Sequence, residues 1–412
     1  MTDARTTDTV ALALDFSDRL IVGTARDVHR AIARRSFAPA RRIGGRVPEK
    51  AYDAVTLAAY GAVSKGLRGA ESVARALGAR GVGRPLEATR TGRRTKAVIN
   101  GLIGDQLRAV DDAHAIVMSL RVDGRDVPAT PWALAQAYRD PTSHLVLFLH
   151  GLCDSDESWA AAAEGTVAYP ERVAAETDGT ALLVRYNSGL HVSENGRHLD
   201  ALVAQIVESW PVPVTRISLV GHSMGGLVAR SATNHAVARQ QVWADLVGTV
   251  VCLGTPHTGA SLEKIAHAGS TALRLFDPSR PFAAILDHRS VGIVDLRHGY
   301  ISAEEWEGQD LTRAWGLDRI AAAPLAHAEY HFVASTLGST EGHLLGRVFG
   351  DAMVHASSAA GVTRDGHVVL GAHLEAVVGA GHLALLNHPR VGERLVEWLT
   401  SHTRRAKALP SR

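Results

Sequence analysis

The chain has 412 residues, 46% of them hydrophobic and 21% charged, a composition that excludes a wholly disordered protein. Charged, polar or proline residues interrupt every apolar run before it reaches about 18 residues, which excludes a membrane-spanning helix. The net charge of +2 is unevenly distributed: residues 1–112 hold 20 Lys and Arg against 12 Asp and Glu (+8), and the remainder holds 24 against 30 (−6). This asymmetry indicates two parts with different partners.

The start of the chain does not resemble a secretory signal peptide. Acidic residues at Asp3, Asp8 and Asp15 fall in or around its short apolar run. Two cysteines, Cys153 and Cys252, are too few for a disulfide framework. We therefore expect a cytoplasmic protein.

Residues 1–112 are predicted to be helical. Hydrophobic spacing and helix-start signals place three helices, over Val10–Arg35, from Pro48 to about Arg80, and from Leu86 to about Ala109. Three glycines weaken the last prediction: Gly92, Gly101 and Gly104.

The first predicted helix is amphipathic. Its apolar face carries Leu14, Ile21, Ala25, Val28 and Ile32, and its opposite face carries Arg19, Arg26, Arg30 and Arg34. This pattern favours a helix that packs on a core and exposes its arginines. A second hypothesis is peripheral contact of residues 1–112 with an anionic membrane surface. Nucleic-acid binding is not expected, because aromatic residues are few and no binding motif is present.

From about Ala113 the pattern changes to short strands alternating with helices. A hairpin is predicted over Ile116–Val122 and Arg125–Val127, around Asp123-Gly124. Six apolar runs follow: His144–Leu149, Thr180–Tyr186, Arg216–Val220, Thr249–Leu253, Tyr330–Ser335 and Leu374–Val378. They are apolar on both faces, as in strands of a parallel sheet covered by helices on both sides, so the fold class is α/β.

The interval between the strands ending at Leu253 and beginning at Tyr330 is too long for a single crossover helix. We therefore expect an insertion there, with helical candidates over Leu262–Phe276 and Ala303–Gly316.

The segment Gly221–Gly226, which reads GHSMGG, predicts a nucleophile. It follows a predicted strand and precedes an apolar helical run, which is the context of a nucleophile elbow. In such a turn Ser223 is exposed above the sheet, and side chains at Gly221 or Gly225 would clash with the strained backbone.

A serine nucleophile needs a base, and in this order of elements the histidine comes after the last strand. His382 follows Val378 in a loop of small residues, which places it at the carboxyl edge of the sheet. His367, His373 and His388 are rival candidates.

The acid that orients this histidine is expected after the strand ending at Ser335. Asp351 fits, since it lies in a loop before a further turn. Glu341 and Asp365 remain alternatives.

An oxyanion hole needs two backbone N–H groups. Met224, directly after the nucleophile, should supply one, and Leu152, after the strand His144–Leu149, should supply the other. Gly151 allows close approach there, and His150 is expected to brace the loop. Cys153 has no base beside it in sequence and is interpreted as a small hydrophobic residue.

No zinc-binding spacing of His and Cys and no phosphate-binding glycine loop is found, so neither a metal nor a cofactor is expected.

These motifs, together with Arg185–His191 and Gly254-Thr255-Pro256-His257, resemble bacterial serine lipases and esterases of the α/β-hydrolase superfamily, in particular the branch related to GPI inositol-deacylases. The resemblance extends from about residue 115 to 400. It implies an α/β-hydrolase domain over 113–412 with a helical cap over about 258–325, preceded by the N-terminal helical region. It also implies a triad of Ser223, Asp351 and His382, with Leu152 and Met224 as oxyanion donors.

Three functions remain open from the sequence. The first is a serine ester hydrolase acting on an apolar acyl ester, such as a lipid. The second is a thioesterase or acyltransferase with the same triad. The third is a binding protein that has the fold without catalysis.

Overall fold

A computed structural model describes residues 3–18, 47–110, 112–161, 166–260, 290–307, 324–336, 354, 356–359, 361 and 373–408. The chain divides into two compact units. The first comprises Met1–Arg93 with Phe276–Arg289, and the second comprises Arg94–Leu275 with Ser290–Arg412.

In its described residues the first unit contains helices α1 (Thr6–Phe16) and α2 (Val47–Ala79), which pack against each other. The Arg5 guanidinium donates hydrogen bonds to the carbonyls of Gly81 (2.9 Å) and Gly83 (2.8 Å), and so fixes the turn after α2. The helix predicted from Pro48 is confirmed. Of the predicted helix Val10–Arg35, residues 10–16 are helical and residues 19–35 lie outside the described residues.

A short 3-10 helix (Leu86–Ala88) precedes α3 (Arg90–Ala109), which contains a kink at Ile103. From Arg94 onward α3 belongs to the second unit. The contacts thus divide the chain earlier than the domain boundary predicted after residue 112, and the predicted domain assignment remains a prediction.

In the described part of the chain the second unit forms one eight-stranded sheet. Its strands are β1 (Ser119–Val122), β2 (Arg125–Val127), β3 (His144–Leu149), β4 (Gly179–Arg185), β5 (Arg216–His222), β6 (Val247–Leu253), β7 (Glu329–Thr336) and β8 (His373–Val378). The spatial order is β2-β1-β4-β3-β5-β6-β7-β8. Strand β1 is antiparallel to both β2 and β4, and the pairs from β4 to β8 are parallel. All the predicted strands are confirmed to within a few residues.

The helices of this unit after α3 are α4 (Pro131–Ala137), α5 (Ser158–Ala161), α6 (Tyr169–Glu176), α7 (Val192–Ser209), α8 (Met224–Ala238), α9 (Val291–His298), α10 (Ala356–Ala359) and α11 (Pro389–Ala408). Further 3-10 helices cover Val242–Leu246, Ala303–Glu305 and His382–Leu386.

Helices cover both faces of the sheet. The side chains along a strand therefore alternate between two hydrophobic cores, one on each face. Leu147 of β3 lies in one core with residues of α7 and α8. Its neighbour Phe148 lies in the other with Trp159 and residues of α11. Every residue of β3 and β6 is buried, as expected for central parallel strands. The predicted α/β class is therefore confirmed.

The predicted cap over about 258–325 is described only in part. Residues 261–289 and 308–323, including the helical candidate Leu262–Phe276, lie outside the described residues. Of the candidate Ala303–Gly316, residues 303–305 form a single 3-10 turn.

Candidate active site

Ser223 occupies a sharp turn between β5 and α8. Its backbone is in a left-handed conformation (φ 52°, ψ −120°), unusual for a residue with a side chain. The Ser223 N–H donates to the carbonyl of Leu253 at the end of β6 (2.8 Å), and the Ser223 carbonyl accepts from Gly226 (3.2 Å). These bonds hold a strained residue at the carboxyl edge of the sheet, which is the geometry predicted for a nucleophile elbow.

Glycine is required on both sides of this turn, as predicted. A β-carbon at Gly225 would overlap the carbonyl oxygen of Leu149 at the end of β3. One at Gly221 would overlap the backbone of Gly225 and Gly226. The helix therefore packs directly against the strands. Ser223 is only 5% exposed, so the prediction that it is exposed above the sheet is wrong, because the backbone at Gly151 packs against it.

The structure brings His382 to the same edge of the sheet. It begins a 3-10 helix directly after β8, and its ring lies 4.7 Å from the ring of His222, the residue before the serine. The Nε2 of His222 lies 3.2 Å from the His382 carbonyl oxygen. A β-carbon at Gly254, the residue after β6, would lie only 2.9 Å from His382 Cε1 and Nδ1. His382 thus contacts the residue before Ser223 and the residue after β6, at the carboxyl ends of β5 and β6.

The loop after β3, His150–Cys153, is termed the oxyanion loop below, after its predicted role. A β-carbon at Gly151 would lie 3.3 Å from Ser223 Cβ and 3.2 Å from His222 Nδ1. The loop backbone therefore lies directly against the elbow. Met224 follows Ser223 as the first residue of α8, and Leu152 follows Gly151 in the oxyanion loop, so their roles as oxyanion donors stay predictions.

His150 is fully buried and braces this loop. The Tyr186 amide donates to His150 Nε2 (3.2 Å), so the ring proton resides on Nδ1, which donates to the Gly151 carbonyl (2.8 Å). The Tyr186 ring stacks on His150 at 4.1 Å, and its hydroxyl donates to the His150 carbonyl (2.6 Å). Burial, together with the nearby Arg185 charge, lowers the His150 pKa to about 4, so the ring is neutral at pH 7.

Burial also raises the pKa values of two ionisable groups at the oxyanion loop, Cys153 and Asp154. Burial, with the nearby Asp154 carboxylate, raises the pKa of the Cys153 thiol to about 12, which leaves it protonated and poorly nucleophilic. Burial raises the pKa of Asp154 to about 6, although the Ser155 amide donates to its carboxylate (2.9 Å). These shifts agree with the interpretation of Cys153 as a packing residue.

The predicted acids and one rival histidine fall beyond the described part of the chain. Asp351, its rivals Glu341 and Asp365, and the rival histidine His367 all lie outside the described residues. The rival His373 is at the start of β8, far along the strand from His382. Among the described residues, no group of three or more His, Cys, Asp or Glu side chains could hold a metal ion.

Tyr186 was not identified as a site residue from the sequence. The only sequence signal was its place in the motif Arg185–His191, which carried the family resemblance without a role for this residue. His222 was likewise treated as a neighbour of the serine, although it contacts both the oxyanion loop and the His382 segment.

Residues 140–307 match the family described as the PGAP1-like alpha/beta domain. The match covers β3 to β6, the strands that carry the elbow and the oxyanion loop. With the sheet order and the elbow, it supports one fold. The chain has an α/β-hydrolase fold, as predicted.

The α/β-hydrolase domain is also similar to a curated relative. Over 159 residues it is 32% identical to a triacylglycerol lipase of Burkholderia plantarii. The alignment covers 37% of this chain and 40% of the relative. The aligned region thus spans well under half the length of that relative.

Two solved structures are further similar proteins. A Bacillus licheniformis lipase, BlEst2, in its mature form has 18% identity and a TM-score of 0.40, over 68% of this chain and 97% of that chain. The Pyrococcus furiosus esterase Pf2001 has 15% identity and a TM-score of 0.38, over 63% of this chain and 82% of that chain.

Proposed function

We propose that this chain is a serine ester hydrolase that acts on an apolar acyl ester through an acyl-enzyme. The observation that carries the proposal is the left-handed Ser223 at the end of β5, with the His382 ring and the Gly151 backbone packed around the same turn. The similarity to a triacylglycerol lipase supports an acyl ester as the substrate.

In the proposed mechanism the Ser223 Oγ attacks the ester carbonyl carbon while His382 accepts the hydroxyl proton. The backbone N–H groups of Leu152 and Met224 stabilise the negative charge on the former carbonyl oxygen. The tetrahedral intermediate collapses, the ester C–O bond breaks, and His382 protonates the departing alcohol. Asp351 is the proposed acid that orients His382.

Deacylation repeats these steps with water. His382 removes a proton from a water molecule, whose oxygen attacks the acyl carbon of the Ser223 ester. The Ser223 oxygen leaves and recovers the proton from His382, and the carboxylic acid is released. The buried neutral His150 maintains the loop that stabilises both tetrahedral intermediates.

The test is hydrolysis of p-nitrophenyl esters of several acyl lengths by the full chain and by Ser223→Ala. We expect activity in the wild-type chain and loss of activity in the variant, and the series of esters measures the preferred acyl length. Full activity of Ser223→Ala would contradict the proposal. Covalent labelling by a fluorophosphonate probe, with the site found by peptide mass spectrometry, identifies the nucleophile independently.

A thioesterase or an acyltransferase would form the same acyl-enzyme. A thioesterase differs from an esterase in its thioester substrate, and an acyltransferase differs in using an alcohol instead of water as the acyl acceptor. Product analysis with a thioester substrate, and with an ester in the presence of a competing alcohol, distinguishes the three reactions. A chain that neither hydrolyses esters nor reacts with the fluorophosphonate would favour the binding-protein hypothesis.

We propose separately that the enzyme is cytoplasmic and contacts an anionic membrane surface through residues 1–112. The net charge of +8 in that region supports this proposal. In the described residues no helix has the length and apolarity needed to cross a membrane. Co-sedimentation with anionic and neutral vesicles, at low and high salt, tests the contact. Binding to anionic vesicles that is lost at high salt is expected. A chain that stays in the supernatant at low salt would contradict the proposal.

A further inference from the structure

Gly101 and Gly104 of α3 lie where the backbone of this helix contacts loops at the active site. In the sequence, the same two glycines weakened the prediction of a helix. A β-carbon at Gly101 would lie 2.7 Å from the Cα and N of Cys153 and would overlap its Sγ. A β-carbon at Gly104 would overlap the Asn187 side chain. At Gly101 the helix therefore packs directly against the backbone of the oxyanion loop, and at Gly104 it packs against the Asn187 side chain, in the segment that follows β4.

Hydrogen bonds connect the same three segments. The Asn187 side-chain amide donates to the Gly104 carbonyl (2.9 Å), and the Cys153 N–H donates to the Ser188 hydroxyl (3.1 Å). A β-carbon at Gly189 would lie 2.7 Å from the Gly104 nitrogen. The helix, the oxyanion loop and the segment Asn187–Gly189 are thus one connected arrangement.

The kink in α3 lets the helix hold a further segment. Ile103 departs from helical geometry (φ −140°, ψ 22°), which interrupts the regular hydrogen bonding of the helix. The carbonyls of Gly101 and Leu102 accept hydrogen bonds from the Ser290 hydroxyl (2.7 Å) and the Ser290 N–H (3.1 Å). Asp105 accepts from the Val291 N–H (3.2 Å), the first residue of α9.

The Asn100 side chain bonds α3 to the chain that leads into the sheet. Asn100 is fully buried. Its side-chain amide donates to the His114 carbonyl (2.7 Å), and its side-chain oxygen accepts from the Ile116 N–H (2.8 Å). The helix is therefore bonded to the segment that leads into the sheet as well as packed against the oxyanion loop.

This arrangement fixes Leu152 from both ends. Gly151 lies against Ser223, and Cys153 lies against α3 in a left-handed conformation (φ 59°) that persists only when its surroundings hold it. The position of the Leu152 N–H, the proposed oxyanion donor, therefore depends on where α3 lies. A displacement of about 1 Å at such a donor can reduce a rate by roughly 10²-fold.

We propose that residues Asn100–Asp105 of α3 set the position of the oxyanion loop, with Gly101 as a positioning residue of the reaction. The proposal rests on the ester hydrolase function proposed above. It assigns an active-site role to a helix that precedes the first strand of the sheet.

The test compares Gly101→Ala and Gly101→Val with a matched control, Gly66→Ala, in the full chain. Gly66 is a helical glycine of α2 whose added β-carbon would meet no heavy atom within 4 Å. We expect kcat to fall by roughly 10- to 100-fold in the Gly101 variants, with KM changed by about twofold or less, because the donor acts in the transition state. The control should keep both constants.

A thiol readout separates this proposal from the proposed function. The chain has two cysteines, and Cys252 is fully buried in β6. Alkylation of Cys153 by a maleimide should be slow in the wild-type chain and in Gly66→Ala, and faster in both Gly101 variants. If the wild-type chain hydrolyses no ester and does not react with the fluorophosphonate, the proposed function fails, and the alkylation rates still test whether α3 holds the loop.

Ser188→Ala supplies a variant that adds no volume and removes the hydroxyl bonded to the Cys153 N–H. It should lower kcat severalfold and speed Cys153 alkylation even if Gly101→Val does not fold. Folding of each variant is checked by circular dichroism. The proposal is overturned if folded Gly101→Ala and Ser188→Ala retain the wild-type kcat and the wild-type alkylation rate.

Discussion

The nucleophile elbow and the oxyanion loop lie against each other, yet they are held in different ways. The elbow is formed by consecutive elements, a strand, a left-handed Ser223 and a helix, and its glycines allow these elements to pack closely. The oxyanion loop is held by residues distant in sequence, namely Tyr186 and the α3 segment around Gly101. One half of the site is thus encoded locally, and the other half is distributed over the chain.

The largest expected effect concerns the base that serves the elbow. His382→Ala should lower kcat/KM by roughly 10⁴-fold or more while leaving the fold intact, since Ser223 then has no group to accept its proton. The measurement is p-nitrophenyl ester hydrolysis. His373→Ala, at the rival histidine, is the control and should remain active. Equal losses in the two variants would contradict the assignment.

The next effect tests the local packing of the elbow. Gly225→Ala places a methyl group against the Leu149 carbonyl, so we expect the free energy of unfolding to fall by about 1–3 kcal/mol and activity to fall with it. Denaturant titration measures the first and ester hydrolysis the second. Gly69→Ala, at an open helical position, controls for the substitution itself. Wild-type stability and activity of Gly225→Ala would show that the elbow tolerates a wider turn.

The oxyanion loop should show its dependence on buried groups through pH. The folded-state pKa of His150 is about 4, below the ordinary value near 6.5, so the unfolded chain takes up a proton in this interval that the folded chain does not. The contribution of His150 to the free energy of unfolding is fully present above about pH 6.5 and is lost as the pH falls toward 4. This difference amounts to about 2 kcal/mol between pH 7.5 and pH 5.

His150→Asn removes this titration. Denaturant titrations at pH 7.5 and pH 5 should show a smaller loss of stability in the variant than in the wild-type chain, by roughly that amount. His331, whose pKa burial also lowers to about 4, contributes equally to both proteins. Identical losses in the two proteins would mean that His150 titrates normally.

The smallest effect tests the tyrosine that supports the same loop. Tyr186→Phe removes the hydrogen bond to the His150 carbonyl and should lower the free energy of unfolding by about 1 kcal/mol. We also expect kcat to fall severalfold without a matching change in KM. Tyr138→Phe is the matched control, because the described residues offer its hydroxyl no hydrogen-bond partner. Equal effects in both variants would exclude a special role for Tyr186.

The fold and the elbow were predictable because their signals are local. Buried parallel strands appear as short apolar runs, and β3 to β8 lie within a few residues of the predicted positions. Ser223 was found from the glycines around it, and His382 from its place after the last strand. The structure places both residues at the carboxyl edge of the sheet, and their catalytic roles stay predictions.

The contacts of α3 could not be predicted in the same way. Gly101 and Gly104 counted against a helix, since glycine lowers helix propensity wherever it occurs. Only the folded chain shows that Cys153 and Asn187 occupy the space that side chains at those positions would need. A propensity describes one residue in its local segment, and it contains no information about a backbone that arrives from about fifty residues away.

The sequence by itself thus determined the α/β class, the strand positions and the elbow, because periodicity and turn chemistry depend on neighbours along the chain. The tertiary structure alone decided that Tyr186 supports His150 and that α3 lies beneath the oxyanion loop. The physical reason is that close packing and buried hydrogen bonds select partners by distance in space. Those partners have no recognisable spacing in the sequence.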